Sequence, residues 1–267
     1  MSISPLTALR AALQPAPLTS LVTALAKPRL IVAGATGVLG NEVLRRLAGS
    51  GRFAQTLVLA KEPIVTSVAQ VSIHEVSGDV QAWQPMANGH RADVGVVMFE
   101  PPRLYYQRER ALWTPAPEQL LALAHWLKRS GLHTLVVVVP HAQGRLPDAV
   151  KRGLANLDEQ ALAAVGFERL LLVRSAQKAM PIAVKGWLNK IAAWMLSTLS
   201  YMIPANEQPV RPSKLAEFIE IAIHHLPVGT HVASPELLWR AAGSMDTPQV
   251  VQTWLKGSIR PAKPPTP

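Results

Sequence analysis

Three glycines spaced three residues apart constrain the fold of this chain more than any other feature of its sequence. The apolar run Arg29–Ala33 precedes Gly34, and Gly37 and Gly40 follow at intervals of three. The next segment has the apolar spacing of an amphipathic helix, at Val43, Leu44 and Leu47. A buried strand, a tight turn and a helix in this order are typical of the first unit of a parallel α/β sheet.

Each of the three glycines meets a separate physical requirement of a phosphate-binding turn. Gly34 permits the tight turn, Gly37 lets backbone N–H groups approach a pyrophosphate, and Gly40 removes a side chain where helix and strand pack closely. The start of the helix adds unpaired donors and a favourable dipole. We therefore predict that a nicotinamide dinucleotide binds to this turn. Its binding residues are predicted to be Gly34, Ala35, Thr36, Gly37, Val38, Leu39 and Gly40.

The end of the second predicted strand bears on the choice between NAD and NADP. The strand Thr56–Ala60 is followed by Lys61 and then Glu62. In dinucleotide folds an acid at this strand end favours the 2′-hydroxyl of NAD, whereas a cation accommodates the 2′-phosphate of NADP. Because Lys61 comes first, we predict NADP(H), with NAD(H) as the alternative cofactor. A solvated Lys-Glu pair is the plainer interpretation of the same residues.

Short apolar runs alternate with helical patterns along the rest of the chain. This alternation predicts an α/β fold with a doubly wound, mainly parallel sheet (Rossmann-like) and a small helical C-terminal cap. The predicted strands are Arg29–Ala33, Thr56–Ala60, Val71–Glu75, Val94–Phe99, Thr134–Val139 and Arg169–Val173. The predicted helices cover 38–49, 116–130, 149–164, 185–203 and 213–226.

The same patterns divide the chain into four predicted regions. Residues 1–28 form an N-terminal extension, in which leucines at helical spacing are interrupted by prolines. Residues 29–180 form the dinucleotide-binding domain, and 181–255 a helical cap or substrate region with no expected strand. The proline-rich residues 256–267 are predicted to be a disordered tail.

Composition excludes several classes of function. The chain has no cysteine, which excludes disulfides, thiolate catalysis and cysteine-ligated metals. Its net charge of +10 is spread along the sequence, so we expect no nucleic-acid partner. No secretory signal and no apolar stretch of about 20 residues are visible, which favours a cytoplasmic protein without a transmembrane segment. His224 and His225 point about 100° apart on a helix, so no metal site is predicted.

The glycine turn also carries a family resemblance. The residues Gly34-Ala35-Thr36-Gly37-Val38-Leu39-Gly40 resemble the Gly-Ala-Thr-Gly-x-x-Gly motif of the atypical short-chain dehydrogenase/reductases, which are NAD(P)H-binding Rossmann proteins. Weaker similarities follow at Ser77-Gly78-Asp79-Val80 and Gly166-Phe167-Glu168-Arg169, and together they cover about residues 29–226. The resemblance implies that Asp79 lies near the adenine. A turn role for Asp79 in its Gly-Asp pair is the alternative.

The sequence departs from that family at the residues that do the chemistry. Catalytic members use a tyrosine four residues before a lysine, and here Pro147 stands four residues before the corresponding Lys151. The serine expected near the end of the fifth strand is also missing. We therefore predict an oxidoreductase with a weak or altered active site that lacks Tyr-x-x-x-Lys. The alternative is a non-catalytic protein that senses the dinucleotide or acts as a scaffold.

Two places in the chain offer a substitute proton donor. His141 follows the fifth strand, where the cleft of a parallel sheet opens, and imidazole titrates near neutral pH. Tyr105 and Tyr106 follow the fourth strand in a loop rich in arginine, which suits an anionic substrate. A hydrogen-bonded loop histidine and a solvated basic loop are the plainer interpretations. The substrate itself is not predicted.

A second apolar stripe marks the helix predicted at 185–203. Trp187, Trp194 and Tyr201 recur every seven residues, about 120° from the main apolar face. A helix with two such stripes needs two surfaces to cover them. We predict a partner or lid contact, such as a homodimer through residues 187–203, with cover by the chain's own C-terminal segments as the alternative.

Overall fold

In the part of the chain that the structure describes, seven parallel strands form one sheet. The computed structural model describes residues 27–66, 68, 70–86, 91–140, 159–175 and 210–258. The strands are β1 (Arg29–Ala33), β2 (Gln55–Ala60), β3 (Val71–Glu75), β4 (Val94–Val97), β5 (Thr134–Pro140), β6 (Arg169–Ser175) and β7 (Gly229–Ala233). Their order across the sheet is β3-β2-β1-β4-β5-β6-β7, and every neighbouring pair is parallel. The fold is Rossmann-like, as predicted.

Helices cover both faces of this sheet. Within the described residues they are α1 (Gly37–Gly49), α2 (Gln107–Ala111), α3 (Leu120–Arg129), α4 (Glu159–Ala164), α5 (Pro212–His225), α6 (Pro235–Gly243) and α7 (Thr247–Ser258). Short 3₁₀ turns lie at Val80–Ala82 and Pro117–Gln119. None of the helices in this part of the chain is long and apolar enough to cross a membrane.

The strands bury side chains on both faces because each face packs under helices. Along β1, Leu30 and Val32 lie in a core shared with α1 and α5, while Ile31 and Ala33 lie in a second core under α3. Such continuous apolar strands are typical of parallel sheets buried on both sides. β1 and β4 are neighbours near the middle of the strand order, so their carboxyl ends lie side by side at one edge of the sheet.

The structure corrects the prediction that no strand follows Val173. β7 pairs with β6 and extends the sheet, but only His231 and Ala233 of its five residues are buried. Because this edge strand carries so few apolar residues, its alternation is hidden in the sequence. The short helix α2 was also not predicted.

Other boundaries differ only at the ends of elements. α7 continues to Ser258, so residues 256–258 are helical rather than part of the predicted disordered tail. β4 ends at Val97, two residues before the predicted end, and the helix predicted at 116–130 begins as a 3₁₀ turn. The helix predicted at 185–203 lies outside the described residues, as does the beginning of the one at 149–164.

Candidate functional site

The candidate site lies where the strand order reverses, between β1 and β4. Neighbouring residues in register include Val32 beside Val96 and Ala33 beside Val97. The chain leaves β1 towards one side and β4 towards the other, which opens a crevice at their carboxyl ends. Gly34 follows β1 into this crevice, and Glu100 approaches it from the segment after β4.

The backbone of the glycine turn has the conformation that its glycines were predicted to supply. Gly34 and Gly37 have φ of 73° and 71°, in the left-handed region that disfavours other residues. A Cβ atom on Gly40 would lie 2.6 Å from the carbonyl oxygen of Gly34. The close contact between helix and strand predicted for Gly40 is therefore confirmed.

Thr36 leaves the first amides of α1 without the usual side-chain cap. Thr36 occupies the N-cap position, but its hydroxyl makes no capping hydrogen bond. It donates instead to the backbone carbonyl of Glu100 and lies 2.9 Å from the hydroxyl of Thr114. Since a threonine at this position normally accepts from an amide of the first turn, those donors remain for another acceptor.

The carboxylate of Glu100 accepts from these amides. Its Oε2 atom lies 2.7 Å from the backbone nitrogen of Leu39, and the amide of Val38 acts on the same group. The side chain also covers Gly37, because a Cβ atom there would lie 2.3 Å from the Glu100 carboxyl carbon. The start of α1 therefore holds an anionic oxygen supplied by the chain itself.

A second carboxylate, that of Glu109 in α2, completes the arrangement. Its Oε2 accepts from the backbone nitrogen of Gly37 at 3.1 Å, and its Oε1 from the side-chain amide of Asn41 at 2.7 Å. Arg103 binds the same carboxylate through its guanidinium and through its own backbone nitrogen at 2.9 Å. Glu109 is only 4% exposed, so its charge is buried, while the guanidinium of Arg103 that pairs with it remains partly exposed.

Backbone hydrogen bonds fix α2 above the turn. The segment after α2 crosses the carboxyl ends of β2 and β1, where Leu112 forms an antiparallel bridge with Ala60. The nitrogen of Lys61 donates to Ala111 at 2.7 Å, and that of Gly34 donates to Trp113 at 3.0 Å. These bonds pair the backbone groups that follow β1 and β2, and they place Glu109 directly over Gly37.

The two carboxylates differ in the direction in which the site shifts their pKa values. Burial raises the pKa of Glu100, which the amides of Leu39 and Val38 oppose and the nearby charge of Glu109 reinforces. Burial also works to raise the pKa of Glu109, but the bonds from Arg103 and Gly37 outweigh it and lower that pKa. Glu109 is therefore the firmly ionised member of the pair, and Glu100 is the more easily protonated one.

The backbone of the turn has the shape that the diphosphate of a dinucleotide needs. The loop after β4, however, lies where that diphosphate would bind. The left-handed glycines, the close approach at Gly40 and the amides of α1 match the requirements of such a group. The amides of Gly37 and Leu39, however, already donate to Glu109 and Glu100. A bound diphosphate would require both carboxylates to move.

The residues predicted to contact the adenosine lie at the ends of β2 and β3. Lys61 is exposed directly after β2, which leaves its ammonium in solvent. Asp79 caps the 3₁₀ turn Val80–Ala82, and its carboxylate accepts from the nitrogen of Gln81 at 3.2 Å. This bond fits the turn role of Asp79, and contact with the adenine stays a prediction. So does recognition of the 2′-phosphate by Lys61.

The predicted proton donors are not brought together by the described part of the chain. The side chain of Tyr105 is 94% exposed, and the ring of Tyr106 lies 3.7 Å below the guanidinium of Arg103. This cation–π contact orients Arg103 towards Glu109. His141 and Lys151 lie outside the described residues, and their catalytic roles stay predictions.

Sequence reasoning missed the residues that dominate the site, namely Glu100, Glu109 and Asn41. One signal was present, since both glutamates lie in the otherwise basic segment that follows β4. The spacing of that segment does not reveal that it folds back over the glycine turn.

A separate open cleft of about 730 Å³ lies at the opposite edge of the sheet. It is lined by residues near the amino ends of the strands, including Asp93, Thr134 and Arg169. Ligands of open parallel sheets bind at the carboxyl ends, so the glycine turn is the candidate site.

No protein-family model matches this sequence, and no curated protein matches it significantly. Several solved structures are similar to this chain at low sequence identity. A nucleoside-diphosphate-sugar epimerase from Staphylococcus aureus is 13% identical, with a TM-score of 0.45 over 88% of this chain and 92% of that chain. The enzyme WbmG of Bordetella bronchiseptica, solved in complex with NAD, is 13% identical, with a TM-score of 0.42 over 82% and 80%. The PhqB reductase domain of Penicillium fellutanum is 18% identical, with a TM-score of 0.44 over 87% and 72%.

Proposed function

We propose that this protein binds a nicotinamide dinucleotide at the glycine turn and that it prefers NADP(H) to NAD(H). The observation that carries the proposal is the anion held at the start of α1. The amides of Gly37 and Leu39 converge on carboxylate oxygens at 3.1 and 2.7 Å. Donors arranged in this way at a helix N-terminus, after a left-handed glycine turn, suit the oxygens of a diphosphate.

The preference for NADP(H) is proposed from Lys61. Its exposed ammonium stands at the end of β2, the place at which dinucleotide folds meet the adenosine ribose. A cation there attracts a 2′-phosphate and gains nothing from a 2′-hydroxyl. Asp79, at the end of the segment after β3, is proposed to lie beside the adenine.

We favour a role in which occupancy of the site is sensed, rather than rapid turnover of a substrate. The chain lacks the Tyr-x-x-x-Lys pair, Tyr105 lies in solvent and Tyr106 supports Arg103. An altered oxidoreductase that uses His141 or Lys151 is the second candidate, because both follow the carboxyl end of β5 in sequence. A homodimer formed through residues 187–203 is one route by which occupancy would reach a partner.

Titration calorimetry with NADPH and NADH tests the proposal. Binding at about 1 μM corresponds to about −8 kcal/mol. Lys61→Glu is expected to weaken NADPH binding by about 1–3 kcal/mol, the scale of a charge-assisted contact, and not to weaken NADH binding, because an acid at this strand end suits the 2′-hydroxyl. Lys256→Glu is the matched control, since Lys256 is exposed at the end of α7.

Three results would contradict parts of this proposal. Equal loss of both cofactors in the Lys61 variant would remove the argument for NADP(H). If neither dinucleotide bound, in the wild type or after removal of the Glu100 and Glu109 charges, the binding function itself would be wrong. Oxidation of NADPH with aldehydes and ketones at about 10 s⁻¹, the median turnover of enzymes, would favour the second candidate, an oxidoreductase.

A further inference from the structure

The carboxylates of Glu100 and Glu109 take the same hydrogen-bond donors that a bound dinucleotide would need. Glu100 accepts from the nitrogen of Leu39 at 2.7 Å, and Glu109 accepts from that of Gly37 at 3.1 Å. Glu100 also stands against the Cα atom of Gly37, in the space left by the missing side chain. A diphosphate and these two side chains therefore exclude one another.

The two side chains belong to one loop that is held closed by its own contacts. Residues 98–106 and α2 connect β4 to the crossing segment at Leu112. Arg103 ties the middle of this loop to α2, because it binds Glu109 and stacks on Tyr106. The hydroxyl of Thr36 adds a bond to the backbone of Glu100.

The closed arrangement is nevertheless costly to the protein. The carboxylates of Glu100 and Glu109 lie at the same turn, where the charge of Glu109 raises the pKa of Glu100, and the side-chain hydrogen bonds of Arg103 within the described residues go to Glu109. Burying a charge without full pairing opposes the closed state. The contacts of the loop therefore hold it over the turn, while the repulsion between the two carboxylates favours their displacement by another anion.

We propose that Glu100 and Glu109 form an internal gate on the dinucleotide site, an inference that rests on the proposed function. Their carboxylates accept hydrogen bonds from the amides of the turn when no dinucleotide is bound, and both move away when the diphosphate enters. The gate lowers the affinity for every dinucleotide, independently of the 2′-phosphate, because it competes for the diphosphate alone. Binding of the cofactor then moves the loop 98–106, including the exposed Tyr105, and so changes the surface that a partner meets.

Charge removal at the gate tests this proposal. In the Glu100→Gln/Glu109→Gln variant the donors meet neutral acceptors of the same shape, which bind amides less strongly than carboxylates do. The dissociation constants of NADPH and NADH, measured by calorimetry, are both expected to fall by about tenfold or more. The matched control is Glu42→Gln/Glu217→Gln, which removes two charges from partly exposed ion pairs outside the turn. Its affinities should stay within about twofold of the wild type.

A single Glu100→Gln variant guards against misfolding of the double variant, since it keeps the pair between Arg103 and Glu109. It is expected to give part of the gain, with an unchanged circular dichroism spectrum. Affinities equal to or weaker than those of the wild type, in folded variants, would overturn the gate and leave the binding function standing. Absence of binding in the wild type and in both variants would overturn the binding function instead.

Discussion

Replacement of Gly40 by alanine should destabilise the protein, although alanine is the better helix former. The new Cβ atom would lie 2.6 Å from the oxygen of Gly34 and 2.8 Å from the carbonyl carbon of Ala35. Both neighbours are backbone atoms at the end of β1, so they have no rotamer by which to withdraw. Relief of the contact requires α1 to move away from the strand by a large fraction of an ångström.

The magnitude follows from two opposing contributions. Alanine gains about 0.8–1 kcal/mol over glycine in a helix, whereas overpacking typically costs about 1–3 kcal/mol. The difference is a net loss of up to about 2 kcal/mol in the free energy of unfolding at Gly40. Gly49 supplies the matched control, because it lies in the same helix and a Cβ atom there has no neighbour within 4 Å. Gly49→Ala should stabilise the protein by about 0.5 kcal/mol.

Urea denaturation of both variants measures the difference. The two substitutions are chemically identical, so their opposite signs isolate the contact between helix and strand. Equal stabilities of the Gly40 and Gly49 variants would refute the reasoning, since they would mean that α1 and β1 are not in contact at Gly40.

Three further predictions concern stability. Glu220 is buried and binds Arg46 at 2.6 Å and Arg52 at 3.1 Å. Glu220→Ala should lower the free energy of unfolding, measured by urea denaturation, by about 1–2 kcal/mol, a figure reduced because both arginines are partly exposed. A cost no larger than that of Glu217→Ala would contradict this. Ser130→Ala removes the hydroxyl that accepts from the buried amide of Met86 at 3.1 Å, and it should lower the free energy of unfolding by about 1–3 kcal/mol. A cost as small as that of Ser50→Ala would show that water replaces the hydroxyl as acceptor. The pH dependence should differ between the gate residues. The lowered pKa of Glu109 contributes stability that is present above its ordinary value of 4.5 and lost as the pH falls through the folded value. The raised pKa of Glu100 costs stability as the pH rises from 4.5 through its folded value. Thermal denaturation of each glutamine variant and of the wild type, in steps of about one pH unit across pH 3–7, measures how each glutamate changes stability with pH. The same sign of pH dependence for both glutamates would contradict the opposite pKa shifts.

The features that the sequence determined by itself are those set by local spacing. The alternation of apolar strands and helices predicted the parallel sheet, because side-chain periodicity along one segment decides which face it buries. The three glycines predicted the turn in the same way, since left-handed backbone at Gly34 and Gly37 and the contact at Gly40 involve residues within one short stretch.

The tertiary structure alone decided what lies on that turn. Glu100 and Glu109 reach Leu39 and Gly37 from more than sixty residues away, because β4 lies beside β1 and the crossing segment bonds to the ends of both β1 and β2. β7 escaped prediction for a related reason, since its burial comes from β6 and the helices around it and not from its own composition. Local periodicity carries no information about which distant segment meets a donor, and the N–H groups at the start of α1 donate to any anion that the fold places beside them.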